Sequence, residues 1–141
     1  LRLDLPERHP RDIARDAGLG VVPHAGEFGG PANVHGAIEH LRGDRIAHGV
    51  RVIEDAATVE FLADSGVVCD IAPTSNVVLG VFPDLAAVPV DRFLEAGVRF
   101  TLNDDDALFF LPAAGASVAG THAESGRTSA PIGVRLAFPA R

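Results

Sequence analysis

The chain has 141 residues, 47% hydrophobic and 22% charged, with a net charge of −7; that composition builds a globular core and excludes a disordered chain. Negative charge without a basic patch argues against nucleic-acid binding through the phosphate backbone and leaves small neutral ligands open. No apolar run approaches the roughly 18 residues of a membrane span, and the single cysteine, Cys69, has no disulfide partner, so with no signal peptide at the start a cytoplasmic location is expected.

The elements follow in order. Residues 7–18 read as a helix with apolar Ile13, Ala14 and Ala17, and Gly18 as its C-cap. Gly20 to Pro23 reads as a short strand ending at His24. Gly29-Gly30-Pro31 makes a turn, with Pro31 suited to a first helical turn. Asn33 to Leu41 is an amphipathic helix whose Val34, Ala37, Ile38 and Leu41 share a face. Arg45 to His48 is the second strand. Asp55 to Ser65 is a helix with Ala57, Phe61 and Leu62 as core contacts and Gly66 as its cap. Val67 to Ala72 is the third strand. Pro89 to Ala96 is a further helix capped by Gly97, and Val98 to Leu102 is the fourth strand.

This alternation, with crossovers of about 20 to 30 residues, predicts parallel strands. Four such strands make either an open doubly wound sheet or half of an eight-stranded barrel. Polar residues recur at every strand end. A parallel barrel gathers those ends into one site, whereas an open sheet builds its site at one switch point, so the barrel is favoured. Residues 113–141 lose all periodicity and read as a low-complexity or disordered tail; a frameshifted end is the other reading. The chain contains no Met, Trp or Tyr. Leu1 is accordingly expected to be an interior position of a longer parent, or the product of trimming.

Four segments carry chemistry. In His24-Ala25-Gly26-Glu27, a histidine at a strand end is a common metal ligand, and a carboxylate one tight turn later can act as a general acid or base. A capping turn with a solvent-facing Glu27 is the plain alternative. In His48-Gly49, the histidine can orient or deprotonate an attacking water; a half-buried structural histidine is the alternative. Asp104-Asp105-Asp106 can ligate a cation and bond a substrate, or simply cap a helix. The spaced acids and glycine of an EF-hand are absent. Pro73-Thr74-Ser75-Asn76 is the weakest signal and reads as a loop closure. His9, His35, His40 and His122 read as surface residues, and Cys69 as a small apolar packing residue.

Together the four segments resemble the adenosine deaminase family of metal-dependent purine deaminases. That family has His-Ala-Gly-Glu, His-Gly, Pro-Thr-Ser-Asn and Asn-Thr-Asp-Asp-Pro segments, in this order, on the last four barrel strands. The match runs from about residue 7 to about residue 110. The resemblance implies an α/β fold: an incomplete (β/α)8 TIM barrel, roughly strands 5 to 8, with residues 1–112 as a partial deaminase barrel domain. It implies His24 and Asp105 as zinc ligands and Glu27 as proton donor to the purine ring. It implies His48 as the residue that positions or deprotonates the attacking water, and Asp106 as a hydrogen-bonding partner of the ring. The implied reaction converts the 6-amino group of adenosine, adenine or a modified adenosine to the 6-oxo product and ammonia. The cytidine-type zinc deaminases are a different case, because their His-x-Glu and Pro-Cys-x-x-Cys signature is absent.

The departures are specific. Asp104 stands where the family has Thr, Ala107 where it has Pro, Ala72 where it has Cys and Ala47 where it has Gly. No His-x-His pair, which in the family supplies two more zinc ligands, occurs in the chain. Residues 1–141 alone are therefore expected to hold zinc weakly and to be inactive. The exposed edges of a half-barrel also predict self-association. The alternative function is a non-catalytic, truncated or degenerate relative acting as an interaction module.

Overall fold

A computed structural model describes residues 8–106. The expected tail, 113–141, lies outside them, as do Ala107 and His122. The described chain runs α1 (Pro10–Asp16), β1 (His24–Ala25), α2 (Pro31–Glu39), β2 (Arg45–His48), a 3-10 turn (Val50–Glu54), α3 (Ala56–Ser65), β3 (Val68–Ile71), α4 (Pro73–Val78), a second 3-10 turn (Leu85–Ala87), α5 (Val90–Ala96) and β4 (Phe100–Leu102). The four strands form one sheet in sequence order, β1-β2-β3-β4, with every neighbouring pair parallel. The architecture is α/β, as expected.

Period-two alternation divides the sheet into two faces. Ile46, Cys69, Ile71 and Phe100 join one buried cluster with Val34 and Ala37 of α2, Leu62 of α3, and Val90 and Phe93 of α5. The helices thus cover that face. Phe93 meets Phe100 edge-on, with ring centroids 6.1 Å apart. On the opposite face, register places His24 beside Ala47, Ala47 beside Asp70, and Asp70 beside Thr101.

Local signals explain the helix limits. Asp55 caps α3 by accepting from the Thr58 amide at 2.9 Å, a bond of the kind worth about 1 kcal/mol. Gly66 ends that helix at φ 66, and Gly97 ends α5 at φ 73. Both are left-handed positions that glycine takes without strain.

Four expectations need correction. The first strand is shorter than expected and sits later, at His24–Ala25. Pro23 has no N–H to donate to a ladder, although its carbonyl still accepts from Ala47 at 3.0 Å. The Pro73-Thr74-Ser75-Asn76 segment is the start of a helix and not a loop. Pro73 presets the first helical turn, and Asn76 donates its amide to the Ala72 carbonyl at 3.0 Å. Ala57 faces solvent, while Thr58 takes the core position. His35 is half-buried, stacked on Phe61 at 4.2 Å with Nε2 3.2 Å from the Thr58 hydroxyl.

Candidate active site at the strand ends

The polar segments meet at the C-terminal ends of the strands. One donor atom from each of His24, His48 and Asp105 lies within 4.8 Å of the others. His24 closes on this point from β1, His48 from the end of β2, and Asp105 from the bend after β4. Two imidazoles and a carboxylate suit a divalent transition-metal ion, zinc included. The site therefore has the donor chemistry to hold one.

Two pairs of backbone features make the convergence. His48 and Asp105 hold φ 69 and φ 62, left-handed values unusual for residues with a Cβ. At His48 the left-handed value breaks the strand alternation at the end of β2, where the ring lies 5.3 Å from that of His24. Gly26 and Gly49 lie back to back. A Cβ on Gly26 would stand 2.7 Å from Val34 Cγ2 and 3.1 Å from Gly49 Cα. Only glycines allow β1 and β2 to end this close, with Gly49 donating to the Ala25 carbonyl and Arg51 to the Gly26 carbonyl, each at 2.8 Å.

Glu27 follows Gly26 directly and is 9% exposed. Its Oε2 lies 3.6 Å from His48 Nε2, and its buried Oε1 has no hydrogen-bond partner among the described residues. A buried oxygen without a partner is costly, so this atom is placed to share a proton with a ligand, as donor or as acceptor. His48 is 3% exposed. Burial pushes its pKa down, and the nearby Glu27 and Asp105 carboxylates only partly offset that. The ring is therefore held neutral, as a proton acceptor or metal ligand must be.

The structure brings together four of the five expected residues: His24, Glu27, His48 and Asp105. His48 lies as close to the metal-donor point as the two expected ligands. Asp106 is exposed on the same bend as Asp105 and is outside that donor group. Sequence reasoning missed Ser75 and Asn76, both fully buried on α4. Ser75 Oγ donates to Asp105 Oδ2 at 2.7 Å, and Asn76 Nδ2 lies 3.3 Å from His48 Nδ1. A signal was present: three polar residues, Thr74, Ser75 and Asn76, follow the helix-starting Pro73, where side chains can reach neighbouring strand ends. Cys69 packs in the core, where burial pushes its thiol up to about 12.

Known proteins bear on this geometry. An adenine deaminase from Rhizobium meliloti is 58% identical over 99 residues, covering 70% of this chain and 31% of that protein. The crystal structure of an adenine deaminase from Arthrobacter aurescens superposes with a TM-score of 0.68 at 35% identity, covering 71% of this chain and 31% of the other. An amidohydrolase from Burkholderia ambifaria, solved with bound Zn, gives a TM-score of 0.59 at 29% identity over 72% of this chain and 31% of the other. The chain thus spans about a third of the length of the relatives it matches, and its sheet is part of a (β/α)8 barrel. The family model for adenosine deaminase matches residues 7–127, so this chain belongs to the adenosine deaminase family.

Proposed function

We propose that this chain supplies one side of the active site of a zinc-dependent purine deaminase. The reaction is hydrolysis of the 6-amino group of adenine to the 6-oxo purine and ammonia. The observation that carries the reading is the donor group of His24, His48 and Asp105 within 4.8 Å, beside the buried, unpartnered Oε1 of Glu27. Likeness to adenine deaminases supports the free base over the nucleoside as substrate.

His24 and Asp105 would hold the metal, with Ser75 fixing the Asp105 carboxylate. When bound, zinc supplies the Lewis acidity that makes hydroxide available near neutral pH, where bulk water with a pKa of about 16 does not. His48, held neutral by burial, orients the attacking water and takes its proton. Glu27, in its acid form, donates a proton to a ring nitrogen as the new C–O bond forms at the carbon bearing the amino group. The C–N bond then breaks: the amine takes the proton held by His48 and leaves as ammonia, and the hydroxyl proton on the same carbon returns to Glu27, which leaves the 6-oxo product. Asp106 bonds the imidazole side of the ring. No helix among the described residues is long and apolar enough to cross a membrane, and a cytoplasmic setting fits this metabolism.

The test exchanges residues 8–106 into the Rhizobium meliloti relative and measures ammonia release from adenine and from adenosine with zinc present. We expect turnover of adenine by the exchanged protein and none by residues 1–141 alone, which contain no His-x-His pair. Turnover of adenosine alone would move the substrate to the nucleoside. A folded, zinc-loaded exchange protein with no turnover of either would refute the reading.

A further inference from the structure

A chain of polar side chains on the sheet face away from the helices ends at the bend that carries Asp105. Arg45 on β2 donates from Nε to Asp70 Oδ2 on β3 at 3.0 Å, and a second guanidinium nitrogen bonds Asp70 Oδ1. Thr101 on β4 donates its hydroxyl to Asp70 Oδ1 at 2.5 Å. The same hydroxyl oxygen accepts from Arg45 Nη2 at 3.3 Å and from Asn103 Nδ2 at 2.9 Å. A hydroxyl has one proton to give and two lone pairs to receive, so Thr101 uses its whole capacity here. It is also buried, at 5% exposure, where each of these bonds is sheltered from water.

Asn103 is thereby held by its side chain to Thr101 and by its amide to the Ile71 carbonyl at 2.8 Å, and its side chain also favours the ionised Asp70 carboxylate. Two residues later Asp105 takes φ 62, a left-handed value that costs residues with a Cβ, Asp less than most. Such a conformation persists only where its surroundings over-determine it. Ser75 holds the Asp105 carboxylate itself, and Asn103 is the hold on the upstream side of the bend.

We propose that Thr101, backed by Asp70 and Arg45, is a positioning residue that sets the Asp105 carboxylate against His24 and His48. Thr101 touches none of the three donors and acts through Asn103. The proposal rests on the reading of Asp105 as a metal donor. Valine at position 101 keeps the shape and removes all three hydrogen bonds, while Asp70 keeps both bonds from Arg45. Serine keeps the hydroxyl.

The experiment compares Thr101→Val and Thr101→Ser in the whole 141-residue chain. Amide exchange is followed in metal-free protein, and zinc affinity by titration. In Thr101→Val we expect the Asn103 amide to exchange about fivefold faster, with Ile46 and Leu62 unchanged. Zinc affinity falls about tenfold, the lower end for outer-shell residues. Thr101→Ser restores both. Asn103→Ala, which cuts only the last link, reproduces the local effect and serves if the valine variant does not fold. Unchanged exchange at Asn103, or equal acceleration throughout the chain, overturns the proposal. If the unsubstituted chain takes up no zinc, the same variants are titrated in the exchanged Rhizobium meliloti protein, where an unchanged affinity in Thr101→Val overturns the zinc part of the proposal, and exchange at Asn103 still decides what Thr101 does.

Discussion

Gly49 is a position where a single methyl group is costly on two counts. Its φ is 73, and a Cβ there would stand 2.6 Å from Cys69 Sγ and 3.4 Å from Cys69 Cβ. Cys69 is fully buried between β2 and β4 and has no room to yield. Gly49→Ala therefore incurs two costs. The left-handed backbone costs about 1–2 kcal/mol for a residue with a Cβ. Overpacking against the sulfur adds about 1–3 kcal/mol. The sum, about 2–5 kcal/mol, is a large part of the stability of a domain this size, typically about 5–15 kcal/mol. With a slope of about 2 kcal/mol per molar, the urea midpoint falls by roughly 1–2.5 M. Gly66 is the control, because it holds φ 66 and an added Cβ would meet none of the described residues within 4 Å. Gly66→Ala carries the backbone cost alone, about 1–2 kcal/mol. Adding Cys69→Ala to Gly49→Ala removes the clash, so the double variant is more stable than the summed singles by about 1–3 kcal/mol. Equal costs at Gly49 and Gly66, together with simple additivity to Cys69→Ala, would refute the packing argument.

Glu27→Gln in the exchanged deaminase keeps the side-chain shape and loses the donated proton; turnover falls about 10²–10⁴-fold while zinc content is unchanged, read by ammonia release beside metal analysis. Asp105→Ala lowers zinc affinity, whereas Asp104→Ala, outside the donor group, leaves it near the starting value in a direct titration; equal retention in both removes Asp105 from the metal site. Asp70→Asn tests the inner polar chain by pH. Burial raises the Asp70 carboxyl, but the bonds from Arg45 and Thr101 and the charge of Arg45 outweigh it, so the pKa lies below its ordinary 3.8. A depressed folded-state value stabilises above the unfolded pKa, and the contribution is lost as pH falls through the folded value. Asp70→Asn should thus melt below the unsubstituted protein near neutral pH, with the gap closing below about pH 3.9; a gap that is constant to acid pH refutes the assignment.

Much of the fold was legible because local physics and global fold agree. Arg45 to His48 reads as a strand and is one. Asp55, Gly66 and Gly97 are capping residues by type, and the helices begin or end at them. The four strand-end segments implied one site, and His24, Glu27, His48 and Asp105 do converge. Other features had no local signature. Ser75 and Asn76 looked like loop formers because such side chains usually bond their own backbone; here they reach Asp105 and His48, some 28 to 30 residues away in sequence. Thr58 and not the expected Ala57 faces the core because the phase of a short helix depends on what it packs against. The link from Arg45 through Asp70 and Thr101 to Asn103 spans three strands. Residue types and spacing determined the strands, the caps and the kind of chemistry. Only the tertiary structure decided which side chains meet, because parallel register between segments more than 20 residues apart is set by packing across the sheet and not by neighbours along the chain.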